Sequence, residues 1–153
     1  GIRMPFIARW DGKIPAHSLD DQTVMAGFDL LPTFCSLAGA QIPSGINPDG
    51  EDMSRALLGR PISRRKPLCW EYGAFGSIQP GNPEYISPVL AIRDGRWKFL
   101  MNPDGSDQQL YDLIEDPGEA VNRIDEQPGI AEKLSKQVLE WWREMRSYYP
   151  VEN

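Results

Sequence analysis

Few side chains in this sequence are equipped for catalysis, and they stand far apart. The 153 residues hold one histidine, His17, and two cysteines, Cys35 and Cys69. A metal centre needs several converging ligands, and His17 lies in a polar stretch, residues 13–22, with no second histidine to join it; it reads as solvated surface. Cys35 and Cys69 sit in apolar settings, which suits buried free thiols better than a disulfide framework. Carboxylates are more plentiful. Asp29 stands directly before an apolar run, where a helix N-cap explains it with less than catalysis does. Asp49, Glu51 and Asp52 suggest calcium ligands, yet the alternating oxygens of a calcium loop are missing, so turn and cap roles suit them better. Asp112, Glu115, Asp116 and Glu119 offer the carboxylates that acid–base catalysis uses. With no histidine, lysine or nucleophile fixed beside them, they read as turn formers and surface charge.

One stretch stands out for binding rather than reaction. Residues 73–87 are rich in glycine and proline, and long ordered loops inside compact domains usually carry function. Phe75 and Tyr85 offer contact there, and Gln79, Asn82 and Glu84 offer hydrogen bonds; a plain surface excursion is the other reading. The glycines do not cradle a phosphate, because their spacing is wrong and no helix follows.

A loop of this kind needs a scaffold, and residues 88–101 supply one. Two β-prone runs meet at Asp94-Gly95, the strongest short-range hairpin signal, since both central residues of a type I′ turn need positive φ. Alternation puts Leu90 and Ile92 on one face and Val89, Ala91 and Arg93 on the other, while Trp97 and Phe99 oppose Arg96, Lys98 and Leu100. One face is core and the other partly wet. Two strands alone are marginal in water, so residues 67–72 and 109–113 are expected as neighbours, with a polar turn over residues 102–108. From Pro128 onward Ile130, Leu134, Val138, Trp141 and Met145 form one apolar stripe, the mark of an amphipathic helix packed on the sheet, with Trp142, Tyr148 and Tyr149 at its rim.

Upstream the pattern changes. Residues 4–10 form a near-continuous apolar run that reads as a strand buried on both faces, closed by a turn at Asp11-Gly12. Residues 29–39 read as a helix with Asp29 as N-cap, Pro32 in its first turn and Gly39 past its end, apolar nearly all round and hence buried on most sides. A turn-dense connector over residues 42–50 leads to a short helical stretch over residues 53–58 that ends at Gly59.

Bulk composition excludes several partners. Hydrophobic residues make up 41% of the chain and charged residues 25%, ordinary for one folded domain of this length. A net charge of -6 argues against nucleic acid and anionic membrane, since both recruit concentrated lysine and arginine; the one basic cluster, residues 60–66, reads as a solvated loop. No apolar run approaches the roughly 20 residues of a spanning helix. The opening Gly1-Ile2-Arg3-Met4-Pro5, without an initiator methionine or a signal pattern, reads like a piece of a longer chain, and the compartment stays open.

The pieces also fall in a specific order. Gly1-Ile2-Arg3-Met4-Pro5-Phe6-Ile7, Trp10-Asp11-Gly12-Lys13-Ile14-Pro15, Phe28-Asp29-Leu30-Leu31-Pro32-Thr33 with Leu37-Ala38-Gly39, Asp49-Gly50 and Leu57-Leu58-Gly59 make its first half. Trp70-Glu71, Ala91-Ile92-Arg93 with Gly95 and Trp97-Lys98, Leu110-Tyr111-Asp112-Leu113, Asp116-Pro117-Gly118-Glu119 and Asn122 make the second. The series resembles the C-terminal third of the sulfatases of the arylsulfatase type, in the alkaline phosphatase superfamily, with Asp11 where that family usually has proline. The resemblance implies a parent sulfuric ester hydrolase that uses a formylglycine, made in a Cys/Ser-X-Pro/Ala-X-Arg motif, beside a divalent cation, calcium or magnesium. Neither Cys35, followed by Ser36-Leu37-Ala38-Gly39, nor Cys69, followed by Trp70-Glu71-Tyr72-Gly73, fits that motif. The family's nucleophile, metal ligands and catalytic lysine and histidine all precede its Gly-Ile-Arg equivalent. This chain is therefore expected to carry no catalytic or metal-binding residue and no cofactor, and to be inactive alone.

The fold implied is a fragment of mixed α and β structure. Residues 1–59 would be the last piece of the large α/β domain, and residues 60–153 a small subdomain, a four-stranded antiparallel sheet with the helix from Pro128 packed on one face. Glu71, Tyr72, Phe75, Gln79 and Tyr85 become candidates for the rim of the substrate cleft, because the loop follows Trp70-Glu71, where such enzymes bring the small subdomain toward the active site. The partners implied are the N-terminal sulfatase domain or a second copy of the chain, and for the parent a sulfated small molecule or glycan. Neither nucleic acid nor membrane is expected. The first 59 residues hold more apolar surface than they can cover, so dimerisation, strand exchange or an upstream fragment is expected. Two other readings stay open: a carbohydrate-binding or interaction module stacking sugars on Trp70, Tyr72, Phe75 and Tyr85, and the C-terminal part of a related phosphodiesterase.

Overall fold

The hairpin forms, but its turn sits one residue later than the Asp-Gly pair suggests. In the computed structural model, which describes residues 4–72 and 86–148, Asp94 pairs with Trp97 and leaves Gly95 and Arg96 as the loop. Positive φ falls on Gly95 alone of the two, at 59°, as in a type II′ turn with glycine at its first central position. Strands β1 (Leu68–Glu71), β2 (Leu90–Asp94), β3 (Trp97–Met101) and β4 (Gln109–Asp112) follow one another in an antiparallel sheet of that order. Register aligns Ile92 with Phe99 and Phe99 with Leu110, a row of three apolar side chains on one face.

Helix α3 (Pro128–Tyr148) covers that face. Leu134 and Val138 are buried against Leu90, Ile92, Phe99, Met101 and Leu110, as the apolar stripe implies, with Ala131 beside them and Ile130, Trp141 and Trp142 packed at the rim. Leu100, on the other face, is buried as well, so that face is drier than strict alternation suggests. Sheet and helix together make one compact unit, residues 67–153, and residues 1–66 make another.

The first unit departs from expectation in three places. Residues 4–10 form no strand and are exposed, Met4 at 80% and Ile7 at 91%. An isolated extended run has no ladder to join, and the four-stranded sheet is the only one among the described residues. Asp29 makes no side-chain capping bond to helix α1 (Leu30–Ala38): it lies in a 3₁₀ turn with helical φ and ψ, where its side chain reaches back to the Ala26 amide. The carboxylate is fully buried instead and serves other partners. Helix α1 is also not covered on most sides; Pro32 and Thr33 are buried while Leu31 and Phe34 are about half exposed. Gly39, with φ of 65°, ends it as foreseen.

Helix α2 (Ser54–Leu57) is the last helix of the unit, and in the basic stretch that follows Arg60, Arg65 and Lys66 are exposed, as in a solvated loop, while the Arg64 side chain is buried. The unit runs to Lys66, seven residues past Gly59, because Arg64, Arg65 and Lys66 fold back onto Asp29 and Glu51.

Candidate functional site

The cleft candidates at the end of β1 point in different directions. Glu71 pairs with Leu90 and so shares the face that α3 covers. Its Oε1 accepts the Trp142 indole N–H at 3.0 Å and Arg146 Nη2 at 2.7 Å, and the Arg146 guanidinium stacks 4.8 Å over the Trp142 ring. Its carboxylate is therefore engaged in tying β1 to the last turns of α3. Tyr72, one residue on, takes the other side by alternation and is 42% exposed; its amide donates to the Val89 carbonyl at 2.7 Å and extends the ladder. Phe75, Gln79 and Tyr85 lie outside the described residues.

The first unit holds a buried charge cluster that local patterns do not announce. Asp29 Oδ1 accepts the Glu51 amide at 2.8 Å, and its Oδ2 accepts the Ala26 amide at 2.7 Å and Arg64 Nη1 at 2.5 Å. Glu51 in turn accepts the Lys66 amide at 2.7 Å, the Arg65 amide at 3.1 Å and Arg65 Nε at 3.1 Å, with Arg64 Nε at 3.9 Å. Burial pushes the Glu51 carboxyl up, but the bonds from Lys66 and Arg65 and the charge of Arg64 outweigh it and hold the carboxyl below its ordinary value. One turn along α1, Thr33 Oγ1 accepts the Met53 amide at 2.9 Å, and Ser36 Oγ lies 3.4 Å from Ser54 Oγ. Gly50 makes the close approach possible: a Cβ there would stand 2.2 Å from the Phe28 carbonyl oxygen. Asp29 and Thr33 thus turn inward, and Leu31, Phe34 and Ser36 are left exposed.

The remaining candidates do not assemble into a reactive centre. His17 is exposed, with a φ of 56°. Cys35 and Cys69 are free and half-buried, and burial pushes the Cys69 thiol up to about 12, far from a neutral-pH nucleophile. Among the described residues no three His, Cys, Asp or Glu side chains stand close enough to hold a metal ion, so the donor set for the implied divalent cation is not found there. No helix among them is long and apolar enough to cross a membrane. A polar cleft of about 240 Å³ lies beside Arg96, Trp97 and Asp112. Its charges are spent on each other: Arg96 binds Asp112 through two bonds and Glu115 at 3.1 Å, and Arg123 binds Glu126 at 2.7 Å.

Residues 1–146 match the family model described as N-sulphoglucosamine sulphohydrolase, C-terminal. The chain belongs to that family. It is 32% identical to bovine arylsulfatase A over 90% of its own length and 29% of the relative's, and 27% identical to an ulvan-active sulfatase of Formosa agariphila over 94% and 33%. A solved 2-O GAG sulfatase superposes with a TM-score of 0.54 at 23% identity, over 81% of this chain and 26% of that one; this likeness speaks for the fold. The chain thus corresponds to the C-terminal region of a sulfatase and spans about a third or less of the curated relatives named.

The sulfatase-like motifs turn out to build the scaffold. Asp112 of Leu110-Tyr111-Asp112-Leu113 is buried and held below the usual carboxylate range by Arg96, against the desolvation that opposes it. Lys98 meets Glu119 of Asp116-Pro117-Gly118-Glu119 at 2.5 Å, and Asp116 Oδ2 accepts the Val121 amide at 2.8 Å. Asn122 Oδ1 accepts the Leu110 amide at 2.9 Å, so a side chain serves the free edge of β4. Sequence reasoning read these carboxylates as turn formers and surface charge, which fits Asp116 and misses the buried pair of Asp112.

Proposed function

We propose that this chain completes the fold of a sulfuric ester hydrolase and borders its substrate cleft, while nucleophile and metal ligands come from a part of the parent that it does not span. The observation that carries the reading is α1 taken with the family match. A helix that buries Thr33, entered through a turn that buries Asp29, and that leaves Leu31 and Phe34 exposed beside Phe28 is built to be covered from outside. On this reading the first unit belongs to the large α/β domain, whose N-terminal portion lies on that apolar side, and the second is the small C-terminal subdomain. A second copy of the chain is the rival cover.

The parent would act on a sulfated small molecule or glycan, using a formylglycine and a divalent cation, calcium or magnesium. This chain's share is contact. Exposed Tyr72 would meet the part of a bulky substrate beyond the sulfate, with Phe75, Gln79 and Tyr85 following in the chain, and Glu71 would act by holding the end of β1. Such contacts change transition-state binding without supplying chemistry.

In the full-length protein, Tyr72→Ala and Phe75→Ala should lower kcat/KM for a bulky sulfated glycan about tenfold and that for a small aryl sulfate by less than about twofold. Equal losses on both substrates would show that these side chains only support the fold. Metal-dependent turnover of an aryl sulfate by the present chain alone would contradict the assignment of catalysis to the rest of the parent.

A further inference from the structure

Three consecutive basic residues, Arg64, Arg65 and Lys66, end the first unit, and Pro67 opens the second. Junctions between compact units are where proteases normally nick a chain, because few contacts hold the backbone there. Here the backbone is held. The amides of Arg65 and Lys66 both donate to Glu51, at 3.1 and 2.7 Å. The Arg64 side chain is 6% exposed and paired with Asp29 at 2.5 Å, so it cannot enter the pocket of a protease that reads basic residues. Arg64 Nε and Nη2 find no hydrogen-bond acceptor among the described residues, which leaves the bond to Asp29 as its anchor. The Arg65 side chain stands out in solvent, at 87%, and Lys66 is exposed as well, so these two residues are held chiefly through their backbone.

The stretch contains two bonds such an enzyme can use. Arg60-Pro61 and Lys66-Pro67 resist trypsin-like enzymes because proline follows the basic residue, which leaves Arg64-Arg65 and Arg65-Lys66. A protease must draw an extended length of chain into its cleft, and these residues reach that form only by leaving Glu51 and Asp29 together. We propose that Asp29 and Glu51 latch shut a tribasic cleavage site at the junction of the two units, which serine proteases specific for basic residues cut only when the latch opens. The cut hydrolyses one amide: a water is consumed, the basic residue before the bond gains a carboxylate, the residue after it gains an ammonium group, and the covalent link between the units is gone.

Trypsin digestion followed by mass spectrometry tests this on the whole chain. In the wild type, Arg64-Arg65 and Arg65-Lys66 should be cut on the order of tenfold more slowly than the exposed Lys13-Ile14 bond, and E51Q should speed both about tenfold or more while Arg55-Ala56, inside α2, is unchanged. Junction cleavage as fast as at Lys13 in the wild type, or no faster in E51Q, overturns the latch. Acceleration at Arg55 in step with the junction also overturns it, since the cluster would then hold the whole unit. If E51Q does not fold, hydrogen exchange in the wild type decides. Protection of the Arg65 and Lys66 amides comparable to that of Leu57 supports the latch, and exchange at free-loop rates refutes it.

Discussion

Glu51 receives opposite instructions from its surroundings. Burial favours its neutral form, while the Lys66 and Arg65 amides, the Arg65 guanidinium and the nearby charge of Arg64 favour the anion and win. Asp29 pairs with the same guanidinium at 2.5 Å, where Glu51 lies 3.9 Å from Arg64 Nε. With the folded value lowered, the stability Glu51 lends is present above the ordinary glutamate range, near 4.3, and is lost as pH falls through the lowered value. The stability difference between wild type and Glu51→Gln should be about 1–3 kcal/mol at neutral pH and shrink progressively as pH falls below the ordinary glutamate range, measured as urea unfolding midpoints across that range. A difference unchanged from pH 7 to pH 3 would mean that the charge contributes nothing. Sequence patterns missed this residue for a physical reason. Its partners lie 14 and 15 residues downstream and 22 upstream, and no local period encodes such pairings.

The two long helices differ in how openly the sequence declares them. Helix α3 buries the stripe its period of 3.6 predicts, and the sheet presents the row its period of 2 predicts, so the row Ile92, Phe99 and Leu110 meets Leu134 and Val138 as patterning implies. Truncating the middle of that row, Phe99→Ala, should cost about 3–5 kcal/mol and lower the urea midpoint with little change in slope. A loss under about 1 kcal/mol would show that the row is not the centre of the core. Helix α1 inverts the rule. Its apolar residues pointed to burial all round, but of these only Pro32 is buried, and the inward hydrogen bonds to the 51–53 backbone come from Thr33 and from Asp29 of the preceding turn, satisfying groups that an apolar face would leave unpaired. The hairpin turn shows a finer limit. Asp-Gly suits a loop in which glycine is second, Gly-Arg one in which it is first, and only the pairing of Asp94 with Trp97 chooses between them.

Apolar side chains left outside set the behaviour of the whole chain. Phe6, Trp10, Phe28, Leu31 and Phe34 are all 43% exposed or more. Isolated in dilute solution, the chain should therefore self-associate, and the double substitution Leu31→Glu and Phe34→Glu should shift it toward monomer with its far-ultraviolet dichroism unchanged. Sedimentation velocity over a range of micromolar concentrations measures this. A wild-type chain monomeric throughout would mean that these side chains need no cover.

What the sequence determined by itself is the second unit and the family. The meander, its core row and α3 follow from local periods, and the motif order from Gly1 to Asn122 pointed to a sulfatase C-terminal region without any coordinates. Tertiary structure alone decided what the charged residues do. It placed Asp29 and Glu51 around Arg64, turned Glu71 toward Trp142 and Arg146, and buried Asp112 against Arg96. Each of these is a long-range pairing, and a charge is worth burying only where its counter-charge arrives in space, which composition and period do not specify.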